Sequence, residues 1–160
     1  MISMLQNLLA RYVPGSAEDS WPGEALTLQV ATAALLMEVA AADDQVTPAE
    51  REQVDLLVAR LFSLPADAAR ELSDRAAKLV DDSTSLFPFT RLITRECSIE
   101  QRAEIVRMLW EVVFVDDAVH TLEEHLVRKI ADLLYVPHNQ FIRGKLQAAG
   151  KSEDDPPVDN

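Results

Sequence analysis

The stretch Leu109–Glu124, LWEVVFVDDAVHTLEE, runs a nearly continuous apolar segment into an Asp-Asp pair, and a second helix opens a few residues later. The same event occurs 73 positions earlier, in MEVAAADDQVTPAE from Met37 to Glu50. Superposing the two aligns Glu38 with Glu111, Val39 with Val112, Asp43 with Asp116 and Asp44 with Asp117. Val46 then meets Val119, Glu50 meets Glu123, Val54 meets Val127 and Leu61 meets Leu134, eight identities in 26 positions. A doubled helix–acidic turn–helix hairpin narrows the fold sharply. Each apolar helix needs cover on all sides, and the other hairpin, packed about a pseudo-twofold axis, supplies part of it. Function is to be sought first where the two acidic turns could meet.

The remaining pattern predicts an all-α, compact helical bundle of seven or eight helices. Met1, Met4, Leu5, Leu8, Leu9 and Tyr12 recur at spacings of three and four, an amphipathic helix ended by Pro14-Gly15. Ser20 is read as the cap of the next helix, with Pro22 in its first turn, and Ala25–Ala42 is apolar nearly all round. Thr47-Pro48-Ala49-Glu50 and Ser98-Ile99-Glu100-Gln101 are capping boxes, opening helices to about Phe62 and Phe114. Between them, Asp67–Val80 buries Ala69, Leu72 and Ala76, and Phe87–Arg95 buries Phe89 and Leu92. Leu122–Tyr135 repeats the amphipathic second helix, and Pro137 starts a last one with Phe141, Ile142 and Leu146 inward, closed by Gly150. No run of alternating β-branched residues predicts a strand. The expected organisation is an amphipathic helix and link over 1–20, a helical domain over 21–150 and a disordered acidic tail, KSEDDPPVDN, over 151–160.

Charge narrows the function classes. The chain carries −12, and removing its last ten residues still leaves −9. Nucleic acid, which demands a basic footprint, is excluded as a partner, and an anionic leaflet is disfavoured. Cations and basic protein partners fit. Glu38 and Glu111 interrupt the best apolar runs well short of the ~20 residues of a membrane span, and no signal peptide is legible, so a soluble cytoplasmic protein is expected. The single cysteine, Cys97, is read as a small semi-buried hydrophobe.

Several chemistries fail on their own requirements. Four glycines include none in a phosphate-loop spacing, and no Glu-x-x-His pair exists for a di-iron bundle. Asp43 to Glu50 spans eight residues without glycine, so it is not an EF-hand loop. No Ser or Cys nucleophile stands beside a base, and a non-enzymatic role is expected, with a metal-dependent hydrolase the distant alternative. What remains is DDQVTPAE and DDAVHTLE, whose Asp43, Asp44, Glu50, Asp116, Asp117 and Glu123 would together present six carboxylates. Oxygen-rich sets of that kind favour calcium or magnesium over zinc. His120, three residues after Asp117, is a candidate nitrogen ligand in a set with Asp116 and Glu124, or an ordinary surface histidine beside acidic caps. Helix capping explains the same residues without any ion, and both readings stand. Glu38 and Glu111 need partners on their apolar helices, with Arg102, Arg107 and Arg128 or a shared ion as candidates, or they reach to the rim.

AADDQVTPAE and FVDDAVHTLEE, with VHTLEEHLVRKIADLLYVPHNQFIRGK, resemble the TerB-like domains named for tellurite-resistance protein B, in particular the small free-standing bacterial branch. The likeness covers roughly Ala25 to Ala149. One departure is that Asp44 and Asp117 stand where the family usually has glycine. The resemblance implies an all-helical bundle whose clustered acidic motifs hold a metal ion, with Asp43, Glu50, Asp116 and Glu123 at the matching positions. It also implies membrane-associated stress-response complexes for resistance to tellurite and other toxic ions. The expected function is therefore a cytoplasmic TerB-like module that binds a divalent cation and protein partners. The alternative is a metal-independent scaffold domain.

Overall fold

A computed structural model describes residues 27–42, 46–115 and 121–150, together with the backbone of Ser20, Trp21, Glu24 and Ala25. Ser20–Trp21 (β1) pairs antiparallel with Glu24–Ala25 (β2), Ser20 opposite Ala25 and Trp21 opposite Glu24. Seven helices follow among the described residues: α1 Leu28–Ala40, α2 Pro48–Phe62, α3 Ala66–Asp82, α4 Phe87–Glu96, α5 Ile99–Val113, α6 Thr121–Leu133 and α7 His138–Ala148. The all-α class holds. The amphipathic segment expected over Met1–Val13 and the tail over 151–160 lie outside the described residues.

The short ladder corrects the start of the first central helix. Ser20 lies in the ladder opposite Ala25, eight residues before the helix begins at Leu28. Thr27 is the cap, in extended backbone, its hydroxyl accepting from the Val30 N–H at 3.1 Å. From there α1 is buried at every position but Gln29 and Glu38. Its alanines let neighbours approach closely, and α2, α3, α4, α5 and α6 all pack on it. Thr32, the polar residue in its middle, returns its hydroxyl to the Leu28 carbonyl at 2.8 Å and so needs no outside partner.

Both capping boxes form. Ser98 and Gln101 exchange bonds of 2.7 and 3.2 Å at the start of α5, matching the Thr47–Glu50 exchange at the start of α2. The hairpins α1–α2 and α5–α6 trade partners evenly: α1 lies on α5, α2 on α5, and α6 on α1. α3 closes over α1 and α2, while α7 covers α5. The stripes of α3 and α4 are buried as expected, but Leu146 of α7 is 37% exposed instead of inward. Residues 141 and 144 already satisfy the contact of this short helix with α5, since Gly144 brings α7 against the Arg107 backbone. Cys97 is buried, and burial pushes its thiol up to about 12, so it is an inert hydrophobe.

Among the described residues, two other than glycine take the left-handed backbone, Ser63 at φ 54° after α2 and Tyr135 at φ 55° after α6. For Tyr135 that conformation costs about 1–2 kcal/mol relative to a residue without a side chain.

Candidate functional site

Of the seven sequence candidates, the described residues contain two, Glu50 and Glu123; Asp43, Asp44, Asp116, Asp117 and His120 lie outside them. Both glutamates hold the third position of their helices, α2 and α6, and both are buried, at 2% and 1% exposure. This is unusual, since a capping-box glutamate ordinarily lies at the surface.

One oxygen of Glu50 has a local role. Oε1 accepts from the Thr47 N–H at 3.1 Å, while the Thr47 hydroxyl accepts from the Glu50 N–H at 3.1 Å. Oε2 is equally buried and has no hydrogen-bond partner among the described residues. A desolvated carboxylate oxygen without a donor is costly, and a cation is one species that would satisfy it. The positive end of the α2 dipole favours the charge without bonding that oxygen. The second oxygen of Glu50 is thus open to a further donor, and Glu123 holds the matching position of its own helix.

The bundle does not draw the described acidic residues into one cluster: among them, no three His, Cys, Asp or Glu side chains form a group able to hold a metal. α2 and α6 each pack on α1 and α5. Glu124, a candidate companion of His120, is engaged elsewhere, accepting from Lys145 of α7 at 3.2 Å. His125 and His138 are exposed, and His138 lies 5.9 Å from the Phe141 ring.

The two glutamates on the apolar helices diverge. Glu111 is bound by Arg107 at 2.7 Å, and the same guanidinium donates to Glu104 at 2.6 Å, a triad in which every side chain is at least three-quarters covered. Burial opposes the Arg107 charge, but its bonds to Glu104 and Glu111 outweigh that and raise its pKa. Sequence reading found Arg107 and Glu111 but missed Glu104, although the spacing of three and four along one helix face was there to see. Glu38 has no such clamp. Burial raises its pKa, Lys129 pulls it back down and Asp81 adds to the rise. A carboxyl with a raised folded pKa holds its proton more tightly when folded. Stability is then highest below the ordinary value, near pH 4.5, falls as pH climbs through the raised value, and stays lowered above it. Glu38→Gln is thus expected to raise the urea midpoint at pH 7 and to match wild type at pH 3.5. A larger gain at pH 3.5 than at pH 7 would contradict this assignment.

No helix among the described residues is long and apolar enough to cross a membrane. No curated protein and no solved structure gives a significant match. Residues 29–146 match the family model described as tellurite resistance protein TerB. That span takes in both acidic turns and nearly all of the seven helices, and it places this chain in the TerB family.

Proposed function

We propose that the chain is a non-enzymatic, cytoplasmic TerB module that binds a divalent cation at its acidic turns and works in membrane-associated complexes for resistance to tellurite or other toxic ions. The observation that carries the reading is the burial of Glu50, six residues after Asp44, with its Oε2 unpartnered among the described residues. Glu123, buried at the same helix position after Asp116–Asp117, supports a second, parallel ligand set to which His120 could add a nitrogen. Oxygen donors of this kind suit calcium or magnesium better than zinc.

Calorimetric titration of chelator-treated protein with calcium, magnesium, manganese and zinc tests it, with Asp43→Asn/Asp116→Asn as the comparison. The expected result is micromolar binding of one hard cation that the double variant loses. Saturation at a hundred times Kd should then stabilise the wild type by about 2.7 kcal/mol. Absence of heat and of any stabilisation would reduce both turns to helix caps and favour the metal-independent scaffold.

A further inference from the structure

Glu38 and Glu111 occupy matching places on α1 and α5, yet only one is neutralised. Arg107 lies one turn before Glu111, whereas Ala34 occupies that place before Glu38. Among the described residues Glu38 makes no hydrogen bond or ion pair, and it opens into a cavity of about 520 Å³. Phe87 of α4 and Leu126 and Leu133 of α6 form the apolar part of its wall, with Lys129 at the side. A second cavity, of about 320 Å³, shares Phe87 and Leu133 with the first and extends to Arg91, Arg95 and Tyr135. The two form a continuous groove between α4 and α6.

The first cavity mixes its apolar side chains with Ser83, Thr84, Ser85 and the two charges, and the second is the more apolar of the two. Phe87 is 56% exposed and Tyr135 74% exposed. Tyr135 holds its ring out from a backbone conformation that glycine would adopt without strain, and the ring contributes little to the core. An aromatic so placed is explained by something that covers it. The groove also has a direction. Glu38 lies in one cavity, partly offset by Lys129; Arg91 lines the other, its guanidinium 6.0 Å from the Phe87 ring centre. Arg95 beside it is taken up by Glu96 at 3.1 Å, so Arg91 is the charge left to recognise an anion.

We infer that the groove between α4 and α6 docks a peptide segment of a partner protein, with an apolar run between a basic residue at the Glu38 end and an acidic residue at the Arg91 end. Exposed aromatics supply affinity, and the two end charges fix the peptide's direction. This site is separate from the acidic turns and stands whether or not they bind a cation.

The test selects random peptides of about a dozen residues on the immobilised full chain and measures the winners by fluorescence anisotropy, a length suited to helix or strand recognition in grooves. The expected consensus is an apolar run with opposite charges at its ends. Glu38→Lys and Arg91→Glu should each weaken binding about tenfold or more, and reversing the matching peptide charge should restore it. Tyr135→Gly should weaken binding by a similar factor while raising the unfolding midpoint, which separates loss of the ring from loss of the fold. The inference is overturned if no peptide is enriched, or if the winners ignore both charge reversals. It is overturned equally if a synthetic Met1–Val13 peptide displaces them, making the groove a seat for the chain's own N-terminus. A dimer in solution that Tyr135→Gly dissolves would make the occupant a second copy, with the same consequence.

Discussion

Replacing Trp110 with alanine is expected to lower the stability by about 3–5 kcal/mol, a large share of what a domain of this size possesses. Trp110 is fully buried. It stacks on Phe114 at 5.7 Å and meets Phe141 of α7 at 5.3 Å, with the Lys145 ammonium 5.2 Å from its ring centre. Truncation removes the contact that fastens α7 to α5 and leaves a cavity too large for its neighbours to fill. Its indole N–H has no hydrogen-bond partner among the described residues, a cost that the truncation relieves and that holds the loss toward the lower end of the range. The same fact makes Trp110→Phe mild, about 1 kcal/mol, since it keeps most of the packing and discards the orphaned donor. Urea unfolding followed by circular dichroism separates the two. Equal losses for alanine and phenylalanine would mean that the N–H, not the ring, is what the site requires.

Arg107→Met is expected to cost about 2–4 kcal/mol at pH 7, slightly less than the loss typical of breaking a fully buried ion pair. The discount follows from residual exposure, 14% for the Arg107 side chain, 10% for Glu104 and 21% for Glu111. The cost arises less from the lost bonds than from two carboxylates left unpaired and largely desolvated on one helix face. One oxygen of Glu111 already lacks a hydrogen-bond partner among the described residues. The triple variant Arg107→Met/Glu104→Gln/Glu111→Gln should therefore recover most of the stability at pH 7. A triple variant as unstable as Arg107→Met alone would indicate that the arginine stem, and not its charge, holds the site.

Much of this fold was legible because its signals are local. The capping boxes at Thr47–Glu50 and Ser98–Gln101 each depend on residues three apart, and both form. The burial of α1 followed from its lack of any polar face. Errors fell where a longer-range choice decided the outcome. Ser20 had the chemistry of a cap, but it lies in the ladder opposite Ala25, and the cap is Thr27. Leu146 had helical spacing, but α7 needs only its Phe141–Gly144 side against α5. At the acidic turns, residue types pointed to oxygen ligands, yet nothing in the spacing could reveal that Glu50 and Glu123 are enclosed. That depends on how α2 and α6 lie against α1 and α5. The groove between α4 and α6 was beyond sequence reading for the same reason, although the absence of an arginine one turn before Glu38 was visible.

The burial of α1 also has a consequence for synthesis. This helix leaves the ribosome early, while α5 and α6, two of the helices that cover it, are encoded far downstream. At ordinary elongation rates the part of its apolar surface that they cover stays open for roughly 5–20 seconds after translation of its last residue. Closure of the bundle must wait for its C-terminal half, so each nascent chain passes through a period in which α1 has only the cover of α2, α3 and α4.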